Sequence, residues 1–170
     1  TSGEAFVLSN YEAEQAYLGA LLFENSVLEE THWLKPDDFS EDLHGAIYAQ
    51  AVEGIEAGST VDAITLKTWA QSEDMVDLFK RVGGAVYMVE LMRDRPEQVS
   101  AKEYARLIQD LSRRRALHRL ALDLEGDLKA HHLEVDAMID SFVDLASGIG
   151  SARDDLKRGP TQRTPAQMLE

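Results

Sequence analysis

Apolar side chains recur at three- and four-residue steps along nearly the whole chain, the spacing that lines one face of an α-helix. The first run is Ala13, Tyr17, Leu18, Leu21 and Leu22. Ser9 or Asn10 can cap it, and Ser9-x-x-Glu12 has capping-box spacing. Glu12 and Glu14 then fall in a first turn, where carboxylates favour the positive end of the helix dipole. Gly19 interrupts the pattern at a cost of about 1 kcal/mol relative to alanine, so its expected use is close approach by another backbone. A short helix follows over Ser26 to Leu34, and Pro36-Asp37-Asp38 reads as a turn. Leu43, Ile47, Ala51 and Ile55 line a helix from Glu41 to Ala57, closed by Gly58. Asp62 caps a further helix reaching Ser72. Gly83-Gly84 marks a turn before a short helix, Ala85 to Met92, and Pro96 closes the region.

From Ser100 the periodicity lengthens. Ser100-x-x-Glu103 again fits a capping box, and the pattern runs to Ala130, roughly 45 Å of helix. His131-His132-Leu133 reads as a turn, and Asp136 caps a last helix to Ser147 carrying Ile139, Phe142, Val143 and Ala146. The expected fold class is all-α: a compact globular helical bundle followed by a long antiparallel helical hairpin. The expected boundaries are a tail over 1–9, the bundle over 10–98, the hairpin over 99–148, and a linker over 149–170. Gly148-Ile149-Gly150-Ser151 and Arg158-Gly159-Pro160 are linker-like, and Thr164-Pro165 resembles the start of a new helix. The chain stops inside that start, which reads as a piece of a longer protein.

The first of the two long helices carries Leu107, Leu111, Leu117, Leu120, Leu122, Leu124 and Leu128, too many for one narrow stripe. With Ile139 and Phe142 they exceed what a two-helix hairpin buries by itself. A second hairpin, from another subunit or another protein, is the expected cover; the bundle is the alternative.

Charge narrows the partners. The net charge is −14, and residues 1–92 hold 4 Lys/Arg against 17 Asp/Glu. Nucleic-acid affinity rests on cations that neutralise phosphates, so this part repels a phosphate backbone. A basic or amphipathic protein suits it better. The one basic cluster is Arg113-Arg114-Arg115 with Arg119, where Arg115 and Arg119 share a helix face. There is no cysteine, which suits a reducing compartment. No apolar run approaches the ~18 residues of a membrane span, so the expected location is the cytoplasm.

Candidate chemistry is thin. Glu12 and Glu14 point about 200° apart on a helix and make a poor acid/base pair. His131, His132 and Glu134, or Asp37, Asp38 and His44, offer ligand types without a metal-binding spacing. His44 is expected to bond locally near its helix start. No phosphate-binding glycine loop is present.

Five motifs in order resemble the N-terminal domain of the DnaB-type replicative DNA helicase family. They are Glu12-Ala13-Glu14-Gln15-x-x-Leu18-Gly19; Pro36-x-Asp38-Phe39 with His44-x-x-Ile47-Tyr48; Asp62-x-x-Thr65-Leu66; Gly83-Gly84-x-x-Tyr87-x-x-x-Leu91; and Ser100-Ala101-x-x-Tyr104-Ala105. Ser100 replaces the family's usual asparagine, and Ser40 stands where an aromatic is common. The resemblance implies a collar domain. In the family, hairpins pair between subunits, three dimers form a hexameric ring, and DnaG primase docks through its C-terminal domain. A helicase loader is a further candidate partner. It also implies a RecA-like motor, using ATP and magnesium, beyond these residues; none is expected within them. The interface residues it points to are Leu111, Arg115, Leu117, Arg119, Leu120, Leu124, Leu128, Ile139 and Phe142. The rival readings are a free-standing adaptor with a collar-like fold and a small metal-dependent enzyme.

Overall fold

The computed structural model describes residues 7–97, 100–130 and 133–155. Among them the chain is all-helical and contains no strand. The elements are α1 (Tyr11–Phe23), α2 (Val27–Thr31), a 3-10 turn (Pro36–Asp38), α3 (Asp42–Glu56), α4 (Lys67–Ala70), α5 (Glu73–Lys80), α6 (Val86–Arg93), α7 (Ala101–Lys129) and α8 (Val135–Asp155). Two compact units divide the chain inside α7, residues 1–115 and 116–170.

In the first unit α1 is the centre. Asn10 is the cap: its side chain accepts from the Ala13 N–H at 2.9 Å. Helix α1 then buries residues around most of its circumference, including Tyr17, Leu18, Leu21 and Leu22, because α2, α3 and α6 all pack on it. Gly19 makes the α6 contact possible. A Cβ there would collide with the Leu91 carbonyl oxygen and lie 3.2 Å from Arg95 Cβ. The close backbone approach expected of Gly19 is present. Tyr17, Phe39 and Tyr48 form an aromatic cluster with centroids 5.1 to 6.1 Å apart. The Tyr17 hydroxyl meets Thr31 Oγ1 at 2.8 Å, and burial pushes its pKa up to about 12.

Three local readings need correction. Asp62 does not open a helix reaching Ser72. Its carboxylate accepts from the N–H groups of Ile64 and Thr65, which closes a turn, and α4 covers only Lys67–Ala70. The Asn25 amide holds Val61 from both sides, donating to its carbonyl and accepting from its N–H at 2.8 Å each. That pairing fixes the backbone just before Asp62 and delays the helix. Helix α5 is absent from the sequence reading; Ser72 precedes it, Glu73 and Asp74 fill its first turn, and Phe79 buries against the edge of Trp69, with centroids 5.7 Å apart. Finally, α8 passes through Gly148-Ile149-Gly150-Ser151 instead of ending at Ser147. Phe142, Leu145 and Ile149 keep the helical spacing across the glycines, and small residues tolerated at an exposed face do not stop it. Gly83 and Gly84 adopt φ of 91° and 94°, a backbone that side chains disfavour, so the expected turn before α6 needs both glycines.

The second unit contains the end of α7 and all described residues of α8, joined through residues 130–134. His131 and His132, and the linker residues from 156 onward with Thr164-Pro165, lie outside the described residues. No described helix is long and apolar enough to cross a membrane.

Candidate assembly and partner-docking site

The motif residues of α1, α3 and α6 converge on one buried polar network in the first unit. Glu14 is 2% exposed and His44 1%. Glu14 Oε1 accepts from the Ser40 N–H and from Ser40 Oγ, both at 2.6 Å; its Oε2 lies 2.7 Å from His44 Nδ1. His44 Nε2 lies 2.7 Å from the Tyr87 hydroxyl. That hydroxyl accepts from Gln15 Nε2 at 3.1 Å and meets the Tyr11 hydroxyl at 3.1 Å. Burial pushes the Glu14 carboxyl up, but hydrogen bonds from His44 and Ser40 outweigh it and hold the pKa below its ordinary value. Burial likewise pushes Tyr87 up, so its phenol is a poor nucleophile.

Two sequence readings change here. Glu14 lies in the first turn of α1 as expected, but its carboxylate is buried and paired within the fold, and His44 does not bond locally. The signal was the face each occupies. Glu14 stands three and four residues before Tyr17 and Leu18, and His44 three and four before Ile47 and Tyr48. Both therefore belong to buried faces, where an ionisable group must find a partner. Ser40 and Tyr11 were missed as network members. Ser40, the departure from the family pattern, supplies two of the three donors to Glu14.

The other motif residues serve the fold. Glu12 stays exposed while Ala13, Leu18 and Phe39 are buried. Asp38 accepts from the Lys35 N–H at 2.8 Å and so closes its own turn. Tyr104 is half-buried on α7, beside fully buried Ala105. Among the described residues no three His, Asp or Glu side chains gather as a metal site would need, so Asp37, Asp38 and His44 do not form one.

The residues expected at an assembly interface divide. Arg115 is used within the chain: its guanidinium donates to the carbonyls of Leu8 at 2.8 Å and Asp38 at 2.6 Å. Leu120 is buried, and Leu111 and Leu124 are half-buried. Arg119, Leu117, Leu128, Ile139 and Phe142 are exposed, and so are Leu122, Val143 and Leu145. In the single chain these apolar side chains of the second unit face solvent.

Known proteins match these features. The family model for the DnaB-like helicase N terminal domain matches residues 7–110. The replicative DNA helicase DnaB of Rickettsia conorii is 33% identical over 131 residues, which cover 76% of this chain and 26% of the relative. The replicative DNA helicase DnaC of Bacillus subtilis is 30% identical over 131 residues, covering 76% and 28%. This chain thus spans about a quarter of the length of the curated relatives it matches. The crystal structure of the N-terminal domain of DnaB helicase from Mycobacterium tuberculosis shares the fold, with a TM-score of 0.69 at 24% identity over 82% of this chain and 97% of that one. With the motif core, the all-helical fold and the family match in agreement, the chain belongs to the DnaB-like helicase N-terminal domain family.

Proposed function

We propose that this chain is the collar of a bacterial replicative DNA helicase, a scaffold that assembles subunits and docks other replication proteins. The observation that carries the reading is the exposed apolar surface of the second unit. Leu117, Leu128 and Ile139 are 50%, 63% and 54% exposed in the single chain. Burying a leucine or isoleucine side chain is worth about 1.5–3 kcal/mol, so leaving this many in water favours a partner. A second copy of the same unit is the partner proposed, giving a dimer, and three dimers a hexamer.

Docking of the DnaG primase C-terminal domain, and of a helicase loader, belongs to the same proposal and is supported by family membership. So is a cytoplasmic, replisome-associated location. The whole protein would unwind DNA with ATP and magnesium held in a motor domain outside these residues. The acidic first unit supports weak or no direct DNA contact by the collar itself.

Light scattering across a concentration series tests the pairing. The unaltered chain is expected to approach twice the monomer mass. Leu117→Asp with Ile139→Asp is expected to return it to monomer with unchanged helical circular dichroism, since both side chains are exposed. A chain that stays monomeric at high concentration defeats the proposal. Calorimetric titration with the purified primase C-terminal domain tests docking separately.

A further inference from the structure

We propose that Glu14, His44, Tyr87 and Tyr11 form a proton-linked relay with two complete hydrogen-bond settings, and that a proton on His44 Nε2 selects between them. The donors and acceptors around His44 allow two arrangements. Glu14 Oε1 is engaged by both Ser40 donors, and Oε2 faces His44 Nδ1. An ionised carboxylate only accepts, so Nδ1 carries a hydrogen in either setting. The neutral ring is then the Nδ1–H tautomer, and Nε2 must accept.

A phenol has one hydrogen to donate and two lone pairs. With His44 neutral, Tyr87 donates to Nε2 and accepts from Gln15 and Tyr11; Tyr11 is the donor. With His44 charged, Nε2–H donates to Tyr87. Gln15 occupies the second lone pair, so Tyr87 must turn its own hydrogen to Tyr11. Tyr11 then accepts, and its hydrogen is released to solvent. Both settings satisfy every member, in keeping with the absence of orphaned buried side-chain polar atoms among the described residues. No heavy atom has to move.

Polar and aromatic groups from three elements surround His44. Glu14 and Tyr11 face it from α1, the Tyr11 ring at 4.8 Å between centroids, and the Tyr87 ring lies parallel to it from α6 at 6.1 Å, joined through the hydroxyl. Glu41 and Asp42 at the start of its own helix, and Arg81 beyond α5, share a cavity of about 80 Å³ with it. The output lies at the first residue of α1. Tyr11 is 41% exposed, so the surface there offers a free hydroxyl donor when His44 is charged and withholds it when His44 is neutral. A buried proton is thus reported at a solvent-facing side chain.

Long-range proton–nitrogen NMR of the His44 ring across pH tests the relay. The neutral ring is expected to carry its hydrogen on Nδ1. Tyr11→Phe removes the acceptor that only the charged setting needs, so proton affinity of His44 should fall roughly two- to tenfold. Gln15→Met removes a donor used equally in both settings and should leave the midpoint unmoved. A neutral ring protonated on Nε2 overturns the relay. So does an equal midpoint in the two variants, or a ring that stays neutral until the chain unfolds.

Discussion

Replacing Gly19 with alanine sets two effects of opposite sign against each other. Gly19 lies inside α1, and alanine is favoured there by about 1 kcal/mol through helix propensity. The added methyl would collide with the Leu91 carbonyl oxygen and stand 2.9 Å from its carbon. That obstacle is backbone, so relief requires α6 to shift as a unit along the largest helix contact in the first unit. Overpacking of this kind costs about 1–3 kcal/mol, more where the neighbour is rigid. The steric term wins, and Gly19→Ala should destabilise by up to about 2 kcal/mol net of propensity. Gly126 is the matched control. It also lies within a helix, α7, but a Cβ there meets nothing within 4 Å. Gly126→Ala should stabilise by up to about 1 kcal/mol. Urea unfolding of both variants gives the comparison, read as midpoint shifts at constant slope. Stabilisation by Gly19→Ala comparable to that of Gly126→Ala would refute the close approach.

Further outcomes follow from the polar contacts. The Glu14 pKa is depressed in the folded chain, so its contribution to stability is complete above the ordinary value of 4.5 and is lost as pH falls through the lower folded value. Thermal unfolding below pH 4.5 should show this loss, and Glu14→Gln should flatten that limb while lowering stability at neutral pH. Arg115→Ala removes two charge-assisted bonds to carbonyls and should cost about 2 kcal/mol by denaturant titration; Arg115→Lys, with one nitrogen, should recover part of it. Charge reversal at Glu24, Glu29, Glu30 and Glu41 should create salt-sensitive DNA binding in a fluorescence-anisotropy titration, and unchanged binding would refute electrostatic exclusion of DNA.

The helices α1, α3 and the long α7 were legible because apolar residues recur along each at three- and four-residue steps. Gly19 was legible for a related reason: a glycine that weakens a helix needs a compensating contact. Less was visible where side chains act across distant positions. No local pattern announces that Asn25 holds Val61, or that Arg115 reaches Leu8 and Asp38. The Glu14–His44 pairing was half visible. Each residue's place on a buried face could be read, but the identity of its partner depends on how α1 and α3 meet. The interface residues were least legible, because the leucine pattern alone does not separate Leu120, buried within the chain, from Leu117 on its surface.

The Asn25 clamp also carries a chemical liability. Its amide nitrogen donates to two carbonyls, Leu21 at 2.9 Å and Val61 at 2.8 Å. Deamidation to aspartate exchanges that nitrogen for an oxygen, and both attractions become oxygen facing oxygen. A change of one mass unit, invisible in shape, would loosen the segment before α4. Peptide mapping of aged protein would detect the exchange, and a lower urea midpoint in the deamidated fraction would report the loosened segment.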